Sequence, residues 1–184
     1  MRLIQHNRLH SRTELDDMLL DACGNWDLDE IKKCVAEGAN INCLDEEGVS
    51  VLTRVIDNLP YYELYVRGGM TAEEVNALKV QDFQTCKKII DFLLESGADI
   101  DLYGYRGVPP LIPAFREGHI SIALHLLDCG ANYHLPISLL RNEEHCNQVI
   151  KVKDVLDELC SAKYANNENT KVLKKMISSL YSID

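Results

Sequence analysis

The chain has 184 residues, of which 46% are hydrophobic and 26% are charged, as expected of one globular domain or a short array of repeats. Its apolar runs are only a few residues long, which argues against a membrane-spanning helix. The net charge is −10, and the whole acidic excess lies in residues 1–104, which carry 20 acidic and 10 basic side chains. Such a surface repels nucleic acid and attracts basic proteins, although solubility alone also explains it.

The expected compartment follows from the cysteines and the N-terminus. The seven cysteines are scattered, odd in number and without a Cys-x-x-Cys pair, a pattern that favours reduced thiols over disulfides. The N-terminal lead, residues 1–12, contains no apolar stretch of signal-peptide length. We therefore expect a cytoplasmic protein, or one delivered into the cytoplasm of another cell.

The first helical unit covers about residues 13–45 and contains DMLLDACGNWDLDEIKKCVAEGAN at 17–40. Its apolar residues lie three and four positions apart, which predicts two amphipathic helices. Gly38 follows the second helix, where the chain turns and a positive φ is favoured. Trp26 lies between the helices, and we expect its ring to cover the open end of the array rather than bind a ligand.

The second unit covers about residues 46–104. It begins with EEGVSVLTRVI at 46–56, is interrupted by an insertion at 58–83, and resumes with FQTCKKIIDFLLESGAD at 83–99. Gly97 lies 59 residues after the corresponding glycine of the first unit, which is one period of 33 plus an extra 26 residues.

Within the insertion, Thr71 and Glu74 have the spacing of a capping box and predict a helix through about Lys79. Three tyrosines precede it: Tyr61, Tyr62 and Tyr65. They either pack the insertion against the helical units or form a contact surface, since tyrosine is favoured in interfaces.

The third unit covers about residues 105–135 and contains GVPPLIPAFREGHISIALHLLDCGAN at 107–132. Pro113 lies about one turn into the first helix, so we expect the helix at 110–117 to be short or irregular. The remaining residues, 136–184, contain apolar stripes typical of amphipathic helices. We expect them to form a helical C-terminal cap, with a partner-binding tail as the alternative.

The three units share a repeated pattern. EGANIN, SGADID and CGANYH end successive units, and Gly97 and Gly130 lie 33 residues apart. The third unit also carries Pro110-Leu111, Gly118-His119 and Leu126-Leu127 at the spacing of a known repeat. Over about residues 13–135 the chain resembles the ankyrin-repeat family. The resemblance implies an all-α solenoid of stacked helix-turn-helix units with projecting turns.

The same resemblance implies a non-catalytic adaptor or scaffold that binds a partner protein through a concave groove and the projecting turns. Candidate partner-binding residues are Asp45, Glu46, Glu47, Tyr103, Tyr105 and Arg106 on turns, Arg54, Asp57 and Arg116 in the groove, and Tyr61, Tyr62 and Tyr65 in the insertion. We expect a monomer whose partner is another protein, with a basic surface as one option, and neither nucleic acid nor membrane.

Two other functions remain open. A short acidic chain without a further module also suits a dedicated inhibitor or immunity-type protein that masks one basic toxin or enzyme. The third alternative, with least support, is an enzyme whose insertion supplies the active site.

The sequence predicts no cofactor, catalytic site or metal site. His125 and Cys129 have the i, i+4 spacing of two ligands, with His119 and His134 nearby in sequence, but zinc requires three or four. Cys146 follows His145, yet adjacent residues on a helix point apart and no third group orients them.

Overall fold

The structure, a computed structural model, describes residues 12–103, 108–138 and 149–151. Its elements in chain order are α1 (Glu14–Gly24), α2 (Leu28–Glu37), α3 (Val51–Asp57), α4 (Tyr62–Arg67), α5 (Ala72–Glu95), α6 (Leu111–Arg116), α7 (Ile120–Asp128), β1 (Pro136–Ser138) and β2 (Val149–Lys151). The helical character that the sequence predicts is confirmed for the main body. Within these residues, no helix combines the length and apolarity that crossing a membrane requires.

Two helices begin with the same reciprocal cap. At α1, the Thr13 hydroxyl accepts the N–H of Asp16 at 3.2 Å, and the Asp16 carboxylate accepts the N–H of Thr13 at 2.9 Å. At α5, Thr71 and Glu74 make the same pair of bonds at 3.2 and 2.8 Å. Each cap satisfies backbone donors that lack a partner inside the helix, and the predicted capping box is confirmed.

The helices pack in a recurring order. The first helices of the three units, α1, α3 and α6, contact one another in succession, and α5 packs on α7. Three sets of equivalent positions, one residue from each unit, are buried: Leu19, Leu52 and Leu111; Ala22, Val55 and Ala114; Ile31, Ile90 and Ala123. A fourth set that the repeat also predicts on the apolar face, Val35, Leu94 and Leu127, is only partly buried. Contacts between units are therefore made by the three first helices and by α5 with α7, as expected of stacked repeats.

A turn of the same conformation ends each unit. Gly38, Gly97 and Gly130 have φ values of 97°, 97° and 95°, which confirms the predicted left-handed turns. A side chain at this φ is strained even though a Cβ would meet no atom within 4 Å. Glycine is therefore favoured at these positions because of the backbone conformation, and not because neighbouring atoms leave no room for a side chain.

After each of these glycines the chain makes a second turn, fixed by a side chain. The oxygen of an Asn or Asp side chain accepts the N–H of the residue two positions later, and the three pairs are Asn40 with Asn42, Asp99 with Asp101, and Asn132 with His134. Asn and Asp are favoured here because their short side chains reach their own backbone in this way.

Consecutive turns are joined by equivalent hydrogen bonds. The Asn42 side chain accepts the N–H of Asp99 at 2.8 Å, and the Asp101 side chain accepts the N–H of Asn132 at 3.0 Å. Asn42 and Asp101 occupy the same position in successive units. The hydrogen bonds between neighbouring turns thus recur with the same period as the sequence repeat.

The insertion adds to an existing helix. The sequence predicts a helix that ends near Lys79 and a separate helix from residue 83, but α5 runs without a break over 24 residues. No glycine or proline lies between Ala72 and Glu95, so nothing in the local sequence ends the helix. The boundary of the insertion at 83 falls inside this helix, against which α4 packs.

The helix around Pro113 is short, as predicted, with only six residues. Pro113 is its third residue, where a backbone N–H has no acceptor inside the helix. The proline therefore removes no helical hydrogen bond. Gly118, at φ 84°, then turns the chain into α7.

Trp26 does not cover the open end of the array, which corrects the expectation. It has a φ of 56° between α1 and α2, the place that Gly118 occupies between α6 and α7. Its indole N–H donates to the carbonyl of Val55 in α3 at 2.7 Å. The ring therefore joins the first unit to the second.

The predicted helical cap at 136–184 is wrong at six residues. Pro136–Ser138 and Val149–Lys151 form an antiparallel strand pair in which Ile137 lies opposite Ile150. β-Branched residues favour an extended backbone, and a proline that opens a strand removes no ladder bond. The rest of the predicted cap lies outside the described residues.

The two leucines that end α7 provide a matched test of the core. Leu126 is completely buried, whereas Leu127 is only partly buried. Leu126→Ala should lower the free energy of unfolding by about 2–5 kcal/mol, because it leaves a cavity between packed helices. Leu127→Ala, the same chemical change one residue later, should cost clearly less. Urea denaturation measures both values, and equal losses would contradict this packing.

Candidate functional site

A shallow pocket of about 230 Å³ lies between α3, the start of the insertion and the α6–α7 turn. Its lining residues are Ile56, Asp57, Leu59, Tyr61, Arg116, Glu117 and His119. Three of the candidate partner-binding residues, Asp57, Tyr61 and Arg116, are therefore brought together. The pocket combines a carboxylate, a guanidinium and a phenol at one surface.

Opposite charges meet at the rim of this pocket. Asp57 is an exposed residue, yet partial burial of its carboxyl raises the pKa of that group, against the opposing effects of Arg116 and Arg54. Arg116 donates through Nε to the Glu117 carboxylate at 2.7 Å. Alternating charges of this kind favour a partner surface that itself carries both signs.

Tyr61 lies on the outer side of the pocket and is 60% exposed. The nearby Glu117 carboxylate raises the pKa of its hydroxyl, chiefly as a hydrogen-bond acceptor and also through its charge. Most of the residue's surface is in contact with solvent and is therefore available to a partner.

His119 forms the floor of the pocket. Burial lowers the pKa of its imidazole, and Lys79 acts in the same direction, while Glu117 opposes them. The ring of Tyr62 packs edge-on against it, with the ring centres 6.3 Å apart. Sequence reasoning treated His119 as an ordinary repeat position and missed its place in the pocket.

The three tyrosines of the insertion have different roles. The Tyr62 hydroxyl donates to Asp82 at 2.9 Å and the ring lies 5.2 Å from the Lys79 ammonium, so this tyrosine packs α4 onto α5. Burial, followed by the bond to Asp82, raises the pKa of Tyr62. By contrast, three exposed residues with large apolar surfaces lie at the start of α4: Tyr61, which is the N-cap residue, and Leu64 and Tyr65 within the helix. We call these three residues the insertion patch.

The turn at residues 45–50 divides the predicted acidic contacts. Asp45 is only 8% exposed, and its carboxylate accepts the N–H groups of Glu47 and Val49 and the guanidinium of Arg54. Its expected place on the projecting surface is therefore corrected, because the carboxylate stabilises the turn from inside. Glu46 and Glu47 are exposed, as expected.

The second predicted turn is described only in part. Tyr103 is partly buried against the core, and burial raises the pKa of its hydroxyl. Tyr105 and Arg106 lie outside the described residues, so their role as contacts remains a prediction.

A second group of side chains meets where α5 packs on α7. His125 Nε2 lies 2.7 Å from Asp91 Oδ1 and 3.7 Å from Cys129 Sγ. The sequence offered only two possible metal ligands here, His125 and Cys129. The structure adds a third, Asp91, which lies 34 residues before His125. A signal for it was present, since residues about one repeat apart lie side by side in a stack.

The ionisation of this group argues against an activated thiol. Burial and the nearby Asp91 carboxylate both raise the pKa of Cys129, whereas nucleophilic cysteines have lowered values. Burial alone would raise the pKa of Asp91, but hydrogen bonds from Lys87 and His125 outweigh it and leave that pKa below its usual value. Burial also raises the pKa values of Cys23, Cys43 and Cys86 to about 12.

The lowered pKa of His119 makes stability depend on pH. Below the ordinary value of 6.5 the unfolded chain takes up a proton that the folded chain does not, so the free energy of unfolding should fall as the pH drops from 7 to 5. His119→Gln should reduce this fall, as measured by denaturation across the pH range. His134→Gln is the matched control and should keep the wild-type slope. An unchanged slope in His119→Gln would contradict the prediction.

Comparison with known proteins gives one informative similarity. No family model matches the chain. Over 91 residues it is 30% identical to the "Ankyrin repeat and KH domain-containing protein mask-1" of Caenorhabditis elegans, a match that covers 48% of this chain. The chain spans about 4% of the length of that relative. The similarity agrees with the ankyrin resemblance of the sequence and supports, at this coarse level, a protein-interaction module.

Proposed function

We propose that residues 13–135 form a solenoid of three ankyrin-type repeats and that the chain is a non-catalytic adaptor or scaffold in the cytoplasm. The observation that carries this proposal is the repeated link between turns, from Asn42 to Asp99 and from Asp101 to Asn132. The 33-residue period and the ankyrin-repeat relative support it independently. Stacked units present extended surfaces that bind other proteins.

The binding surface that we propose consists of the pocket around His119, its charged rim and the insertion patch. Rigid aromatic residues and arginines are enriched among the side chains that contribute most to binding. Tyr61 joins the two areas, because it lines the pocket and also belongs to the patch. The partner that fits is a protein segment with an apolar contact flanked by charges of both signs.

A dedicated inhibitor of one basic partner is the second candidate function. It is favoured by the exposure of Glu46 and Glu47 on one turn, together with the acidic excess of residues 1–104. Clustered surface charge of one sign accelerates association with the opposite sign.

Affinity purification with the full chain as bait separates these functions when it is combined with cross-linking. Several partners cross-linked near Tyr61 support the adaptor, whereas one basic protein cross-linked near Glu46 supports the inhibitor. Cross-links confined to the second helices, α2 and α7, would contradict both proposed surfaces.

Charge reversal tests the acidic turn. Glu46→Lys combined with Glu47→Lys should slow association with a basic partner by about tenfold at low salt, with little effect at high salt. Because both side chains are exposed, far-ultraviolet circular dichroism should be unchanged. The control, Glu37→Lys with Glu95→Lys, makes the same change in net charge at exposed residues on other helices. If both double variants slow association equally, the association rate depends on the overall charge and not on the acidic turn.

Alanine substitution tests the insertion patch. Tyr61→Ala and Tyr65→Ala should each raise the dissociation rate of the partner, by an amount equivalent to about 2 kcal/mol at a hot spot. Tyr62→Phe is the matched control. It removes only the bond to Asp82, so it should lower stability by about 1 kcal/mol and leave binding unchanged. Surface plasmon resonance and thermal denaturation measure the two effects. If both alanine variants dissociate at the wild-type rate, the insertion patch is not part of the binding surface.

A further inference from the structure

Three side chains with metal-binding atoms converge where α5 meets α7. The atoms of Asp91, His125 and Cys129 that could act as ligands all lie within 4.8 Å of one another. Cys129 is exposed at the C-cap of α7, and the other two side chains lie partly buried beneath it. We propose that these three residues bind one Zn²⁺ ion, with a fourth coordination position open to solvent.

The distances suit a tetrahedral ion. Zn–N and Zn–O bonds of about 2.0 Å and Zn–S bonds of about 2.3 Å place neighbouring ligand atoms about 3.3–3.5 Å apart. In the structure, Nε2 of His125 is 2.7 Å from Asp91 Oδ1 and 3.7 Å from Cys129 Sγ. Side-chain rotations would have to bring Cys129 Sγ closer to Nε2 and move Oδ1 and Nε2 slightly apart to complete the geometry.

The contacts of His125 differ from those of a catalytic relay. In a Cys-His-Asp relay, one imidazole nitrogen faces the thiol and the other faces the carboxylate. Here Nε2 is the nitrogen that bonds Asp91, and it is also nearer to Cys129 Sγ than Nδ1 is, at 3.7 against 3.9 Å. The thiol lies at nearly equal distances from the two nitrogens and is not aligned with Nδ1 alone, as a relay through the imidazole requires.

The types of ligand favour zinc over harder ions. Thiolate, imidazole and carboxylate are all zinc ligands, whereas Mg²⁺ and Ca²⁺ prefer oxygen atoms alone. The thiolate and the carboxylate together neutralise the two charges of the ion. Lys87 binds Oδ2 of Asp91 at 2.5 Å and so leaves Oδ1 directed towards His125. A residue that orients a ligand in this way raises the precision of a metal site.

The helical repeat itself does not require these residues. In the first unit, the positions that correspond to His125 and Cys129 are Lys33 and Glu37, on the same side of the turning glycine. The donor set is therefore particular to the junction of the second and third units. Zn²⁺ bound there would link α5 to α7, and stability in a stack depends on such contacts between neighbours.

Cobalt substitution provides the test. Co²⁺ titrated into the full-length reduced protein should give thiolate-to-cobalt charge-transfer absorption and the intense visible bands of tetrahedral cobalt, with one ion bound per chain. Added Zn²⁺ should displace it and raise the melting temperature. Absence of saturable binding would overturn the proposal and would identify the cluster as an ion pair between helices.

Single substitutions locate the site. Cys129→Ser, at an exposed position, should abolish the charge-transfer band, and Asp91→Asn should weaken Zn²⁺ binding at least about tenfold. Cys146→Ser is the control for a thiol elsewhere in the chain and should bind like wild type. Retention of the charge-transfer band by Cys129→Ser would overturn the assignment, whatever the effect on folding, because that band requires the thiolate. A failure to bind partner proteins would leave these results unaffected.

Discussion

The alignment of successive turns depends on one repeated hydrogen bond, from the backbone N–H two residues after a turning glycine to a side-chain oxygen on the preceding turn. Asn42 provides that oxygen for Asp99, and Asp101 provides it for Asn132. At the start of the series Asp16 accepts the N–H of Asn40 at 2.7 Å. Burial raises the pKa of Asp16, but its bonds to Thr13 and Asn40 outweigh this effect and lower it. In the first unit a helix-capping carboxylate thus makes the bond that a turn residue makes in the later units.

Local and periodic features of the sequence predicted most of this framework. Leu19, Leu52 and Leu111 hold equivalent positions in the three units and are all buried, since a face that recurs at helical spacing must be covered. The strand pair that includes Ile137 and the uninterrupted length of α5 were missed for one reason. Apolar patterns of short segments do not distinguish helix from strand, and they mark the end of a helix only where a breaker occurs.

The candidate site was harder to predict because its residues combine through tertiary contacts. The segment around Asp45 has the composition of an exposed turn, but the Asp45 carboxylate points inward to Arg54 and the turn backbone. His119 and Asp91 acquire their surroundings only when neighbouring units stack. The exposed positions that sequence reasoning proposed correctly, such as Glu46, are those whose surroundings are mainly solvent.

The place of the insertion explains how the chain can carry a new surface without losing its repeat. It enters between α3 and α5, the two helices of one unit, and so leaves the turns linked by Asn42 and Asp101 unchanged. The part of α5 that begins at Ala72 in the insertion continues without a break into the second helix of that unit, which makes the junction rigid. Tyr62 then packs the added helix α4 onto α5, and Tyr61 lies beside the pocket formed by the repeats. The insertion therefore extends the surface of the stack as an ordered segment. A partner that binds it pays little conformational entropy, because the segment is already ordered.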